Sequence, residues 1–174
     1  AQLQDLPFPT MMHPQAFCWF HGPFLFVNDN GERFMCEDTW VQGKSLAINR
    51  QPNGEAWSIF DANWETDLVN GLPYGGGMFW DSFRAVGSTY ADASASHAAT
   101  VEKGIESDPE NYKKADTLEE LAELMEVPVD EFVASIERWN TMAAAGKDED
   151  FGFPGDMMMT IDTPPYYATK EFAD

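Results

Sequence analysis

The sequence predicts an α+β fold with a small mixed or antiparallel sheet and packed helices. Residues 24–35 show an apolar run, a turn containing Asn-Gly and a second run, which is typical of a β-hairpin. Residues 55–61 form a short apolar run with the length of a buried strand. Two stretches after residue 117 have apolar residues at helical spacing. Because strands and helices are intermixed without regular alternation, α+β is favoured over a doubly wound sheet.

Length and charge limit the class of protein. The chain has 174 residues, enough for one domain with a core, and 44% of them are hydrophobic. The formal net charge of −20 repels nucleic acids and anionic membrane surfaces, so we expect neither as a partner. No apolar run is long enough for membrane insertion, and no signal peptide is recognisable. The start at Ala1 without Met is typical of a processed or excised segment, which leaves cytoplasmic and exported locations open.

The first two thirds of the chain contain several weaker patterns. Prolines predict an extended arm over residues 1–22. Within the hairpin we expect strands at 24–27 and 32–35 around a turn. The following segments are predicted as a helix from residue 37 or 38 to about 50, a short helix over 63–70, a loop over 71–80 and a helix over 88–105.

The last third has the clearest local patterns. Thr117 and Glu120 have the spacing of a capping box, which predicts a helix start. A second helix is expected to begin at Pro128 and to end at Gly146. The apolar stripes of the two helices are Leu118, Leu121, Leu124 and Met125, then Phe132, Ile136, Trp139 and Ala143. Residues 164–172 are predicted as an extended tail.

Common cofactor and metal motifs receive little support. The stretch "GLPYGGGMFW" has glycines but lacks the preceding strand and following helix of a dinucleotide fingerprint. His13, Cys18, His21 and Cys36 are soft ligands in one region, but their spacing is irregular for zinc. We therefore expect no metal site, and free, partly buried thiols in preference to one disulfide.

Two adjacent acids, Glu37 and Asp38, lie where the hairpin leads into a helix. Paired carboxylates act as acid and base when their environments separate their pKa values. Acids at a helix start are also common caps, and both interpretations stay open from the residues alone.

Three stretches resemble one protein family. "VNDNGERFMCEDT" resembles the "VN-x-x-G-x-RF-x-N-E" segment of the fumarate reductase/succinate dehydrogenase flavoprotein superfamily. Residues 114–153, with "TLEELAELM" and "GKDEDFGF", are similar to that superfamily's "K-x-x-TIEELA" and "GKD-x-x-FGR" block, and "PPYYATK" is similar to its "PFYA" strand. The superfamily includes soluble fumarate reductases, urocanate reductases and 3-ketosteroid dehydrogenases.

The resemblance implies a substrate-capping domain over residues 23–170, preceded by an arm over 1–22. The FAD-binding domain of the superfamily has no counterpart in this chain. The parent protein would be an FAD-dependent oxidoreductase that reduces or desaturates a C=C bond next to an activating group. The resemblance implies that this chain alone binds no FAD tightly and is inactive.

Residue roles transfer only in part. In the family's fumarate reductases, an Arg four residues after the motif Glu donates a proton to substrate, and ketosteroid dehydrogenases have a Tyr there. Here the motif Glu is Glu37 and that position holds Val41, while the motif Asn is replaced by Cys36. The catalytic candidates are therefore Glu37, Asp38 and Thr39, and the substrate-facing candidates are His13, Trp40, Val41 and Gln42. The aromatic stretch "FCWFHG" favours a substrate less anionic than fumarate.

Two other functions remain as alternatives. The chain could be a non-catalytic module that shares the fold of a cap and binds an apolar ligand or another protein. Its acidic surface could also contact a basic electron-donor redox protein, in which case binding would weaken steeply with salt.

Overall fold

The structure, a computed structural model, describes residues 24–39, 41–64, 66–67 and 102–172. The predicted arm, the loop over 71–80 and most of the helix over 88–105 lie outside this part. Residues 102–107 are helical, as are 64 and 66–67. The named elements are β1 (Leu25–Val27), α1 (Val41–Ile48), β2 (Glu55–Phe60), β3 (Tyr112–Ala115), α2 (Leu118–Met125), α3 (Val129–Ala145) and β4 (Tyr166–Phe172), with 3-10 turns at Pro52–Gly54 and Gly155–Met157.

The four described strands form one antiparallel sheet in the order β1-β2-β4-β3. This confirms the α+β prediction and the strand predicted over residues 55–61, which is β2. The segment predicted as an extended tail is β4, an interior strand that pairs with both β2 and β3. A tail at the end of a sequence can be placed between two strands only by long-range pairing, which the local pattern does not contain.

The predicted hairpin is wrong in its second strand. After β1 the chain turns at Asn28, whose side-chain carbonyl accepts the backbone N–H groups of Asn30 and Glu32. The returning segment then makes one isolated bridge, Val27 to Arg33, and no strand. β1 pairs instead with β2, with Leu25 opposite Ile59. The return is short because Arg33 turns inward to bind carboxylates, as described below.

Helix α1 begins later than predicted. It starts at Val41, because residues 36–39 form a turn in which the Thr39 N–H donates to the Cys36 carbonyl at 3.2 Å. It ends at Ile48, which is fully buried. The acids expected in its first turn therefore precede the helix.

Helices α2 and α3 confirm the local predictions. The Thr117 hydroxyl accepts the N–H of Glu120 at 3.1 Å, and α2 ends at Glu126 in a left-handed conformation. Gly146 ends α3 with φ +63°. The buried stripe of α3 is Phe132, Ile136, Trp139 and Met142, so Met142 takes the place expected for Ala143. On α2, Leu121, Ala122 and Met125 are buried, whereas Leu124 is exposed.

The sheet separates two apolar layers. Leu25, Val27, Trp57 and Ile59 face α2 and α3 in the main core. The alternate residues Phe26 and Ala56 pack with Ile48 of α1 in a second, smaller core. Since successive residues of a strand point to opposite faces, Ser58, Thr169 and Glu171 lie on the α1 side. This arrangement places one charged residue of β4, Glu171, beneath α1.

Candidate functional site

The centre of the candidate site is the guanidinium group of Arg33. Its Nε and Nη2 donate to the two oxygens of Glu37 at 2.9 and 2.6 Å. Its Nη1 and Nη2 donate to the two oxygens of Asp148 at 2.9 and 2.8 Å. The side chains of both acids are fully buried, and that of Arg33 is 6% exposed. One planar cation therefore neutralises carboxylates from two distant segments, and we call this set the Arg33 clamp.

Aromatic rings hold the guanidinium from its flat sides. The Arg33 Cζ atom lies 4.7 Å from the ring centroid of Trp139 and 5.0 Å from that of Phe151. Burial alone would lower the pKa of Arg33, but its hydrogen bonds to Glu37 and Asp148 outweigh burial and raise that pKa. The cation therefore stays charged, and the rings and carboxylates together fix its plane.

Asp148 ties the clamp to the loop that follows α3. Its carboxylate accepts the backbone N–H groups of Asp150, Phe151 and Phe153, at 2.9, 3.3 and 2.8 Å. Burial acts to raise the pKa of Asp148, but the hydrogen bonds from Arg33 and from these amides lower it well below its ordinary value. The "GKD" stretch thus has a structural reason: Gly146 ends the helix, and Asp148 organises the next turn.

Glu37 is buried and fully engaged, with 2% of its surface exposed. Besides Arg33, it accepts the backbone N–H of Phe26 on β1 at 3.4 Å. Burial raises the pKa of Glu37, and the hydrogen bond from Arg33 acts against that rise. The carboxylate therefore anchors the segment that leads to α1. Its catalytic role stays a prediction.

The residues that follow Glu37 point towards the surface or pack on α1. Asp38 and Gln42 are exposed. Thr39 is half-buried and lies over Gly43, where an added Cβ would come within 2.9 Å of the Thr39 methyl group. His13, Trp40 and the side chain of Val41 lie outside the described residues, so their substrate-facing roles stay predictions. Asp38, Thr39 and Gln42 do occupy one continuous stretch next to the clamp.

Two buried ionisable side chains, Lys44 and Glu171, were not predicted from the sequence. Lys44 of α1 is only 3% exposed and Glu171 of β4 only 1% exposed. The Lys44 ammonium lies 5.4 Å from the ring centroid of Phe26, so it points at the sheet. The alternation of β4, with Ala168 and Lys170 on one face, could have shown that Glu171 points to the other face. No local pattern singled out Lys44.

The described residues do not fit the pyrophosphate of FAD. A dinucleotide binds to free amides of a glycine-rich turn between a strand and a helix. Strand β3 leads into α2 through Asp116 and Thr117, and the Thr117 hydroxyl already accepts an amide of that helix start. The chain between β1 and α1 contains the clamp instead. The glycine-rich residues 71–80 lie outside the described part.

The sequence contains four His and Cys side chains in one region that are candidate metal ligands. The described residues include no group of three His, Cys, Asp or Glu side chains arranged to hold a metal ion. Cys36 is a free thiol, as expected, and burial raises its pKa. Cys18, His13 and His21 lie outside the described residues. Within the part described, no helix has the length and apolar character needed to cross a bilayer.

The chain is similar in sequence to parts of longer oxidoreductases. A scan against protein-family models finds no match. The chain is 26% identical over 148 residues to a vinyl phenol reductase of Lactiplantibacillus plantarum and 28% identical over 148 residues to a probable fumarate reductase, Ifc3, of Shewanella frigidimarina. These matches cover 83% and 84% of this chain but only 28% and 19% of those proteins. A 38-residue stretch is 58% identical to a 3-oxosteroid 1-dehydrogenase of Mycolicibacterium smegmatis.

Solved structures agree with the sequence relatives. An open conformation of a flavocytochrome c3 fumarate reductase matches with a TM-score of 0.58 and 26% identity, over 84% of this chain and 20% of that one. The solution structure of a Lactobacillus plantarum fumarate reductase flavoprotein subunit has a TM-score of 0.63 at 17% identity, over 98% of this chain and 95% of that one, and shows the same fold. The chain therefore matches a capping domain of the fumarate reductase/succinate dehydrogenase flavoprotein superfamily.

Proposed function

We propose that this chain is the substrate-capping domain of an FAD-dependent oxidoreductase that reduces or desaturates a C=C bond next to an activating group. The observation that carries the proposal is the match to a flavocytochrome c3 fumarate reductase, which covers 84% of this chain and only 20% of that one. A domain of this size within a larger flavoprotein is suited to act as a lid over the substrate site. We place the cap at residues 23–170 and FAD in the rest of the parent protein.

In this proposal the chain encloses the substrate and positions the residues that face it. The Arg33 clamp joins the segment after β1 to the loop after α3, so Asp38 and Thr39 directly follow a residue, Glu37, that two-point hydrogen bonding fixes. Closing such a lid excludes water from the reacting groups and completes the site. Asp38, Thr39 and Gln42 are proposed to face substrate together with His13, Trp40 and Val41. Among them Asp38, Thr39 and His13 can exchange a proton, whereas Val41 cannot.

The relatives' names suggest a substrate class. A vinyl phenol, fumarate and a 3-oxosteroid each contain, or are desaturated to, a C=C bond conjugated with an aromatic ring, a carboxylate or a ketone. With the neutral Val41 where the family's fumarate reductases carry Arg, we expect a substrate less anionic than fumarate. An aryl alkene or an enone fits better than a dicarboxylate.

The test begins with the full-length parent protein. We expect a visible flavin absorbance, and reoxidation of the reduced flavin by an aryl alkene or an enone faster than by fumarate. The 174-residue chain, purified in the same way, should contain no flavin and give no turnover. A parent without flavin, or one that none of these compounds reoxidises, would contradict the proposal and favour the non-catalytic binding module.

A parent that acts as a reductase needs an electron donor, and a basic redox protein suits the acidic surface of this chain. The expected signature is binding to a basic donor that weakens steeply as ionic strength rises. Binding that does not change with salt would contradict this contact but leave the capping role intact.

A further inference from the structure

Lys44 is a buried cation that the capping role does not by itself explain. It lies in the middle of α1, and helix α1 packs on β4 of the sheet. A lysine is seldom this deeply buried unless carboxyl groups surround it. The groups that interact with its charge are Glu37, Asp38 and Cys36 from the segment before α1, and Glu171 from β4. Acids that interact with the charge of Lys44 therefore come both from the segment before α1 and from β4.

Charge balance explains why a second cation is present here. The Arg33 clamp holds two carboxylates with one guanidinium, which leaves one negative charge in excess. Asp38 adds a further acid at the surface beside it. Lys44 is a second buried cation whose charge interacts with Glu37, and its ammonium lies 5.4 Å from the centroid of the Phe26 ring. Without that charge, the segment between β1 and α1 would carry uncompensated acids.

Glu171 is the acid on the sheet side. It pairs in register with Ala56 of β2, on the face covered by α1. Its Oε1 accepts the Thr169 hydroxyl at 3.1 Å, and Tyr112 of β3 also lies within its field. Burial lowers the pKa of Lys44 to about 8, and burial raises the pKa of Glu171 to about 8. Both groups therefore titrate in the same pH range.

We propose that Lys44 is a positioning residue, whose buried ammonium holds residues 36–39 and helix α1 on the sheet through the carboxyl groups of Asp38 and Glu171. The burial of Lys44 and Glu171 between α1 and the sheet, and the approach of the Lys44 ammonium to the Phe26 ring, are features of this chain alone. Its importance for a reaction rests on the proposed function, because residues 38–42 are those proposed to face substrate. In this proposal Lys44 affects the reaction through Asp38.

The test uses the 174-residue chain without flavin or substrate, so its failure is distinguishable from failure of the proposed function. Backbone amide shifts of Asp38 and Thr39 are followed by NMR against pH. In the unchanged chain we expect a step near pH 8, the range in which Lys44 and Glu171 titrate. In Glu171→Gln the step should move to lower pH, because the carboxylate of Glu171 supports the charge of Lys44.

Lys44→Met is the second variant, and Lys147→Met, at an exposed surface lysine, is the matched control. For Lys44→Met we expect the step to be lost or to move to higher pH. Amide hydrogen exchange over residues 41–48 should become about tenfold faster while α2 and α3 stay unchanged. Lys147→Met should behave as the unchanged chain.

Two results would overturn the proposal. One is a step at Asp38 and Thr39 that stays at the same pH in Glu171→Gln. The other is a Lys44→Met chain that folds with unchanged exchange over residues 41–48. If Lys44→Met fails to fold, the Glu171→Gln titration alone decides, because that variant keeps the lysine.

Discussion

Arg33 and Asp148 are 115 positions apart in the chain, yet two parallel N–H···O bonds of 2.9 and 2.8 Å join them. The pair connects the segment after β1 with the loop after α3, and it lies beneath the ring of Trp139. Glu37 accepts two further bonds from the same guanidinium, from Nε and from Nη2. A segment proposed to face substrate is thereby fixed to the body of the domain.

Replacing Arg33 by Met should destabilise the chain strongly. The change leaves two buried carboxylates without a cation, and breaking a buried ion pair in this way costs about 3–5 kcal/mol. The free energy of unfolding in urea measures the effect. Arg138→Met is the matched control, since Arg138 is a half-exposed partner of Asp150 and its loss should change stability little. Equal losses of unfolding free energy for Arg33→Met and Arg138→Met would contradict a stabilising role of the Arg33 clamp.

Acid should weaken the domain through Asp148. Its pKa in the folded chain is well below the ordinary value of 3.8, so the folded state binds fewer protons than the unfolded state in acid. The stabilisation is complete above the unfolded pKa, at about pH 4, and is lost as the pH falls towards the folded pKa. Urea unfolding at several acidic pH values should show a flatter pH dependence for Asp148→Asn than for Asp116→Asn, a change at an exposed acid. If the unfolding free energies of the two variants depend on pH in the same way, Asp148 is not the source of the acid sensitivity.

Gly31 and Gly152 make a matched pair for steric strain. Both have left-handed backbones, with φ of +77° and +76°. An alanine Cβ at Gly31 would lie 2.8 Å from the backbone nitrogen of Phe132, whereas at Gly152 it would meet nothing within 4 Å. We expect Gly152→Ala to cost about 1–2 kcal/mol from the backbone alone. Gly31→Ala should cost about 1–3 kcal/mol more, because α3 must move. Thermal or urea unfolding measures the stability of both variants. Equal losses of stability would contradict the close approach of Gly31 to the backbone of Phe132.

The cap of α2 should contribute measurably. Thr117→Ala removes the acceptor of the Glu120 N–H and should lower the free energy of unfolding by about 1 kcal/mol. Thr141→Ala is the comparison, because that hydroxyl donates to the Glu137 carbonyl within α3 and is exposed. Its loss should be close to neutral. A larger effect at Thr141 than at Thr117 would refute the capping role.

In the full-length parent, Asp38→Asn should lower turnover. If Asp38 exchanges a proton with the bound substrate, its loss should reduce kcat by about 100-fold or more. Glu123→Gln, at an exposed acid of α2, should leave kcat unchanged. A normal kcat for Asp38→Asn would remove Asp38 from the catalytic candidates and leave Glu37 and Thr39 to test.

Several elements were determined by the sequence alone because their causes are local. The start of α2 needs only a hydroxyl and an amide three residues apart, and the end of α3 needs only the freedom of Gly146. Strand β2 follows from a short, continuous apolar run. The quoted motifs likewise predicted a capping domain of this superfamily, which the relatives and solved structures match.

Only the tertiary structure decided where the charges lie. Within its own hairpin, Arg33 looks like a surface residue of a second strand, but Glu37 and Asp148 together draw it inward. Lys44 and Glu171 are both buried because α1 covers one side of an interior strand whose partners lie far away in sequence. Whether a charge is buried depends on which distant carboxyl group meets it, and that pairing exists only once the chain has folded.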